Sequence, residues 1–170
     1  MQSTDWSQMD KHTNSFEERN FETSVDLADL RFRERLDAQG VKYRKIGPDA
    51  KEDFLDDFWI ISPILLLPDY IVWAKTGIIL FAEVKGTNKI KVSDYNKLEE
   101  MHKKATSVNQ YSKKKVEVGI AYIRYPKTNK VVKWVPFDTV KDLWKQEEHQ
   151  TYKDEYELDG SPKMYKSLQM

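Results

Sequence analysis

The sequence predicts an α/β sandwich in which helices pack on a small mixed β-sheet. The first observation is the helical spacing of apolar residues early in the chain. The second is a pair of β-branched runs separated by a short turn, which predicts an antiparallel hairpin. The third is a polar helical stretch that joins this hairpin to another apolar strand. Because such a crossover favours parallel neighbours, the sheet should contain both kinds of strand pair.

The first part of the chain predicts one helix and one strand. Residues 15–40 carry apolar side chains three and four positions apart, which indicates an amphipathic helix that ends at Gly40. Residues 41–46 then predict a short strand. The acidic and aromatic residues 47–63 predict a loop, with or without a helical turn.

The rest of the chain predicts alternating strands and helices. The expected elements are strands over 64–74 and 77–87 with a KTG turn between them, a helix over 92–112, strands over 116–126 and 131–137, and a helix over 138–149. The polar and aromatic residues that follow have no clear period. We therefore expect a tail over 1–14, one domain over 15–147 and an extension over 148–170.

Composition and charge limit the classes of function that the chain can have. The chain contains no cysteine, which excludes a disulfide scaffold, a thiolate metal site and a cysteine nucleophile. The formal net charge is zero, but residues 85–145 hold 15 Lys and Arg against 6 Asp and Glu. Such a segment could bind a polyanion through one face, although a solvated lysine-rich helix and loop would give the same composition.

The sequence indicates no membrane segment. No apolar region typical of a signal peptide begins the chain. The longest apolar run is interrupted by Pro63, Pro68 and Asp69 and is too short to span a bilayer. We therefore expect a soluble cytoplasmic protein without a membrane partner.

Three charged residues, Asp69, Glu83 and Lys85, lie within the most apolar part of the chain. Burying a charge is costly unless it has a partner. Glu83 and Lys85 are two positions apart on one predicted strand and share a face, and the hairpin brings Asp69 beside Glu83. Two carboxylates and an ammonium at one end of a sheet suit phosphodiester hydrolysis, which needs a hard cation held by oxygen ligands.

These residues also have structural interpretations. Asp69 could be a turn residue after proline. Glu83 and Lys85 could form a surface pair on an edge strand, but the apolar residues on both sides of them are atypical of an edge. The pattern therefore favours a site for Glu83 and Lys85, whereas Asp69 taken alone favours a turn.

The residues PD at 68–69, thirteen further residues and EVK at 83–85 resemble the motif of the PD-(D/E)xK nuclease superfamily. The expected order of helix, three strands, helix and strand is similar to the core of that superfamily. Within it, the chain looks most like the archaeal Holliday-junction resolvases and related small phage or prokaryotic nucleases. The resemblance covers residues 22–145 and includes the stretches RFRERLDAQGVKY, EVKGTNKIKVSDYNKL and KWVPFDTVKDL.

The resemblance implies a restriction-endonuclease-like core with one metal site. Asp69 and Glu83 would bind Mg²⁺ or Mn²⁺, and the backbone carbonyl of Val84 would complete the ligand set. Lys85 would be the catalytic lysine. These roles follow from the match of each residue to the family motif.

Further site residues are implied less directly. An acidic residue of the first helix often joins the metal site in this family. Asp29 is nearest to the expected position, and Asp26 and Glu22 are alternatives one and two turns earlier. The residues that could contact nucleic acid are Lys89, Lys91, Tyr95 and Lys97.

The implied activity is metal-dependent cleavage of DNA, in its sharper form at branched DNA such as a Holliday junction. Cutting two symmetric strands implies a homodimer, and residues 133–144 are the expected interface. A restriction-type or exonucleolytic nuclease is one alternative, and a binding module without catalysis is another. The acidic residues 49–59 depart from the family pattern as an insert that could shape the substrate or a dimer contact.

Overall fold

The computed structural model describes residues 24–46 and 67–170. Its helices are α1 (Ser24–Gln39), α2 (Val92–Asn109) and α3 (Phe137–Gln146). Its strands are β1 (Lys42–Lys45), β2 (Tyr70–Trp73), β3 (Ile79–Lys85), β4 (Lys89–Lys91), β5 (Val116–Tyr122), β6 (Lys133–Pro136), β7 (Gln150–Tyr156) and β8 (Pro162–Ser167). The predicted tail over 1–14 and the acidic insert over 49–59 lie outside the described residues.

A five-stranded mixed sheet with the order β1-β2-β3-β5-β6 forms the larger layer. β3 and β5 run parallel, from Ile79 opposite Val116 to Lys85 opposite Tyr122. The pairs β1–β2, β2–β3 and β5–β6 are antiparallel. The predicted α/β class, the mixed sheet and the crossover through α2 are therefore confirmed.

The β2–β3 hairpin turns at the predicted KTG residues. Gly77 has a φ of 85°, a left-handed conformation that glycine adopts without a steric cost. The turn sets a register in which Tyr70 lies opposite Ala82. Asp69, one residue earlier, therefore lies at the level of Glu83, one residue later.

The alternation of side chains along β3 divides the core into two layers. Ala82 and Val84 face α1, together with a cluster formed by Ala28, Phe32, Leu36, Tyr70 and Val72. Phe81 faces the opposite layer, whose buried members include Leu98, Met101, Val118, Ile120, Phe137 and Val140 from α2, β5 and α3. Glu83 and Lys85 follow Phe81 in the alternation and so face α2.

Helix α2 covers this second face of the sheet. Its buried residues are Tyr95, Lys97, Leu98, Met101 and Ala105. Because three- and four-residue spacing places residues on one side of a helix, Lys97 is directed at the sheet together with its apolar neighbours. Within the described ranges, no helix is both long and apolar enough to cross a membrane.

A second, three-stranded sheet has the order β4-β8-β7. Ile90 of β4 and Leu168, just after β8, are fully buried in the α2–α3 layer and attach this small sheet to the larger one. Residues 148–170, for which the sequence predicted no secondary structure, form a hairpin of β7 and β8. Its strand β7 is almost entirely exposed, so its residues lack the alternation that predicts a strand.

Candidate active site

The carboxyl end of β3 carries two charged side chains on the face that α2 covers. Glu83 is 4% exposed and is one of three polar or charged residues that are buried in the described part of the chain. Lys85 is only partly accessible. A carboxylate buried to this degree needs partners, and the surrounding elements supply them.

Asp69 reaches the same end of the sheet from the residue before β2. Its Oδ2 accepts a hydrogen bond from the backbone N–H of Val84 at 2.8 Å. The N–H and C=O of one strand residue point to the same edge, so the Val84 carbonyl is directed to this side as well. The structure therefore places Asp69, Glu83, Lys85 and the Val84 backbone at the same end of the sheet.

Two lysines and two carboxylates form an ion network centred on Glu83. Lys85 Nζ donates a hydrogen bond to Asp94 Oδ2 at 2.6 Å and lies 3.3 Å from Glu83 Oε1. Lys97 Nζ lies 2.7 Å from Glu83 Oε2. With Asp69 included, three acidic and two basic side chains share the site, so carboxylates are in excess when every group is ionised.

The surroundings of Asp69 oppose its ionisation. Burial raises the pKa of its carboxyl group to about 7, and the negative charge of Glu83 acts in the same direction. The hydrogen bond from Val84 and the charges of Lys97 and Lys85 offset only part of this effect. Asp69 is therefore partly protonated near neutral pH, and a positive charge close to it would favour the carboxylate.

Lys85 has the opposite balance. Burial disfavours its ammonium form, but the charges of Glu83 and Asp94 and the hydrogen bond to Asp94 outweigh burial and raise its pKa. Lys85 is therefore protonated at neutral pH. The anchors on two sides fix the position of its Nζ atom.

One buried oxygen in this cluster fits a cation ligand. Lys97 Nζ lies 2.7 Å from Glu83 Oε2, yet this buried oxygen has no hydrogen-bond partner among the described residues. An oxygen in that state beside a second carboxylate suits a hard cation. In the described ranges, no group of three or more His, Cys, Asp or Glu side chains is arranged to hold a metal. The available set is thus two carboxylates and the Val84 carbonyl.

The structure does not bring Asp29 to these carboxylates. Its Oδ1 accepts a hydrogen bond from the Tyr70 hydroxyl at 2.8 Å, and it pairs with Arg33 at 3.2 Å and Lys45 at 3.4 Å. Tyr70 belongs to the α1 layer, on the other side of the sheet from Glu83. Of the alternatives to Asp29, residue 22 and the side chain of residue 26 lie outside the described part of the chain.

The four residues predicted to contact nucleic acid separate into three environments. Lys97 is buried against Glu83. Tyr95 is 8% exposed and stacks on Trp144 with ring centres 4.2 Å apart, so it belongs to the core. Lys89 and Lys91 lie on β4, in the small sheet beside the site.

Asp94 is a site residue that the sequence analysis did not identify. It lies in the first turn of α2, where an acidic residue commonly interacts with the helix dipole. Its position nine residues after Lys85 is compatible with contact only because β4 folds back between them. A single acidic residue at a helix start gives no sign of such a contact.

Comparisons of the chain with models of protein families, with curated proteins and with solved structures found no match.

Proposed function

We propose that this chain is a divalent-metal-dependent deoxyribonuclease with a PD-(D/E)xK core, in which Asp69, Glu83 and Lys85 form the active site. One observation carries the proposal, namely the convergence of these three side chains at the end of β3. The hairpin that places Asp69 and the parallel β3–β5 pair also fit the order of elements expected for such a core.

Asp69, Glu83 and the Val84 carbonyl would hold Mg²⁺ or Mn²⁺, because hard cations prefer oxygen ligands. When bound, the cation supplies Lewis acidity toward a phosphodiester and its attacking water. The excess of carboxylates and the raised pKa of Asp69 support this role, since both are relieved by positive charge.

Lys85 acts in this proposal as an ammonium. Because its pKa is raised, it does not remove a proton from water at neutral pH. It can instead stabilise negative charge on the phosphate and donate a proton to the departing oxygen. Asp94, at 2.6 Å, is a positioning residue for that ammonium.

The substrate that we propose is branched DNA, such as a four-way junction, cut by a homodimer. The paired cuts of a junction require two active sites related by two-fold symmetry. We retain residues 133–144 as the proposed interface. Restriction-type and exonucleolytic cleavage on the same core are the alternatives that an assay with several substrates separates.

A second candidate is a nucleic-acid-binding module without catalysis. Lys97 and Lys85 both contact Glu83, so the most buried carboxylate is already neutralised within the chain. Such a network can be purely structural. This candidate predicts binding of DNA without cleavage at any divalent metal concentration.

The test is cleavage of labelled linear duplex, single-stranded, flap and four-way-junction DNA with Mg²⁺ or Mn²⁺. Lys85→Ala and Glu83→Gln should abolish cleavage. Lys103→Ala is the matched control, because it removes a lysine from the exposed side of α2, where its partners are Glu99 and Glu100. This control should cut at the wild-type rate.

Each outcome of the cleavage assay distinguishes between the proposed functions. Cleavage of the junction alone supports the resolvase form, and cleavage of every substrate supports a general nuclease. Activity that survives in Lys85→Ala refutes the assigned active site. DNA binding without cleavage in either metal favours the binding module.

A further inference from the structure

One face of the small sheet carries lysines placed over tyrosine rings. Lys91 lies opposite Tyr165 in the β4–β8 pair, so both side chains point to the same face. Lys89 Nζ lies 5.0 Å from the centre of the Tyr165 ring, and Lys91 Nζ lies 5.8 Å from that of Tyr152. The two rings contact each other with their centres 4.4 Å apart. We call these four residues the lysine–tyrosine face.

The two lysines of this face carry uncompensated charge. Within residues 24–46 and 67–170, no carboxylate lies in ion-pair contact with Lys89 or Lys91. Lys163 of β8, in contrast, pairs with Glu155 at 3.7 Å. Contact with the rings orders the two ammonium groups without neutralising them. The face therefore complements a ligand that carries repeated negative charge.

The lysine–tyrosine face adjoins the candidate active site. β4 begins four residues after Lys85 and leads directly into α2, which carries Asp94 and Lys97. The pKa of Tyr152 is raised mainly by burial, then by Glu155, Tyr165 and Asp94, and Lys85 acts in the opposite direction.

We infer that the lysine–tyrosine face binds a single-stranded stretch of nucleic acid and leads it to Glu83 and Lys85. Lys89 and Lys91, two residues apart on β4, can contact successive phosphates of the nucleic acid. The partly exposed ring of Tyr152 gives one base a surface for stacking. A duplex keeps its bases stacked on each other and can use only the lysines. The delivery of the nucleic acid to Glu83 and Lys85 rests on the proposed nuclease function. Binding to the lysine–tyrosine face is tested separately.

The test measures anisotropy of a labelled oligonucleotide, single-stranded or annealed, with the full chain in EDTA so that nothing is cut. Lys89→Gln/Lys91→Gln removes two phosphate contacts. For a single strand, the slope of log K against log salt concentration should become about 1.4 less steep than in the wild type. Binding should be about 25-fold weaker at roughly 0.1 M salt and unchanged near 1 M. Thermal unfolding confirms that the variant is folded.

Two controls isolate the face. Lys113→Gln/Lys114→Gln removes the same charge from the loop before β5, at the opposite end of the parallel β3–β5 pair, and should change affinity less than about twofold. Tyr152→Leu should weaken single-strand binding about tenfold and leave duplex binding unchanged, whereas Tyr152→Phe should bind normally.

The outcomes separate this inference from the proposed activity. Equal behaviour of the two double variants, an effect confined to duplex, or a chain that binds no nucleic acid overturns the inference. If the chain cuts DNA while the double variants behave alike, the nuclease proposal survives alone. If Lys89→Gln/Lys91→Gln loses binding but no DNA is cut, the face is supported and the nuclease proposal fails.

Discussion

Replacing Lys97 by methionine should destabilise the fold and make its stability depend on a divalent cation. Lys97 and Glu83 are 9% and 4% exposed, and their charged atoms are 2.7 Å apart. Removing one partner of a buried ion pair costs about 3–5 kcal/mol, because the other charge stays buried. Lys85 still lies 3.3 Å from the second oxygen of Glu83, so we expect the lower end, about 3 kcal/mol.

This loss is large enough to measure by thermal unfolding. In a chain of 170 residues, about 3 kcal/mol lowers Tm by roughly 6–12 °C. A cation that binds Asp69 and Glu83 only in the folded state returns about 2.7 kcal/mol at 100 times its Kd. Mg²⁺ should therefore restore most of the Tm of Lys97→Met. The Tm of the wild type should rise less on addition of Mg²⁺, because the cation must compete with the Lys97 ammonium for Glu83.

The assay is circular dichroism during heating, with and without MgCl₂ or MnCl₂ at constant ionic strength. The matched control is Lys97→Met/Glu83→Gln, which removes both charges of the pair. This control should unfold near the wild-type temperature and show no cation response. A Lys97→Met protein that is destabilised but unaffected by either cation would refute a cation site at Glu83. An unchanged Tm would refute the energetic importance of the buried pair.

Three further predictions concern pH, positioning and packing. Because the folded state raises the Asp69 pKa from 3.8 to about 7, folded protein retains a proton that unfolded protein releases. The free energy of unfolding should therefore fall by up to about 4 kcal/mol as pH rises through this window. In denaturant titrations at several pH values, Asp69→Asn should lack this fall. Asp94→Asn should lower kcat about 10- to 100-fold by releasing Lys85, with Tm and KM nearly unchanged, and a fall in Tm alone would indicate a structural role. A Cβ on Gly119 would lie 2.5 Å from the Val135 carbonyl oxygen, so Gly119→Ala should cost about 1–3 kcal/mol, and an unchanged Tm would contradict this packing.

The hairpin, the crossover and the meeting of Asp69 with Glu83 and Lys85 could be predicted because their signals are local. A KTG turn between two β-branched runs fixes the pairing of β2 with β3. The period of two along a strand then decides which side chains share a face. Once this register was assumed, the approach of Asp69 to Glu83 followed from counting residues.

The rest of the site depends on contacts between distant segments. Lys97 lies beside the apolar stripe of α2, but a lysine in a sequence is normally interpreted as exposed, and only packing against β3 reveals its burial. Asp29 is held by Tyr70, which is 41 residues away in sequence. The strands β7 and β8 are recognisable only through the pairing of β8 with β4 and of β7 with β8, because the polar residues of the exposed strand β7 show no periodicity.

The attachment of the small sheet has a consequence for the order in which the protein is made. Residues 86–91 connect Lys85 to α2, and the last three of them form β4, whose antiparallel partner is β8. Leu168, whose N–H donates to the Asn88 carbonyl at 2.9 Å, fixes the same connection. A ribosome therefore delivers every element of the larger sheet before the segment that secures the link from β3 to α2. Nascent chains that stop before β8 would contain Asp69, Glu83 and Lys85 but would lack this constraint on the helix that carries Asp94 and Lys97.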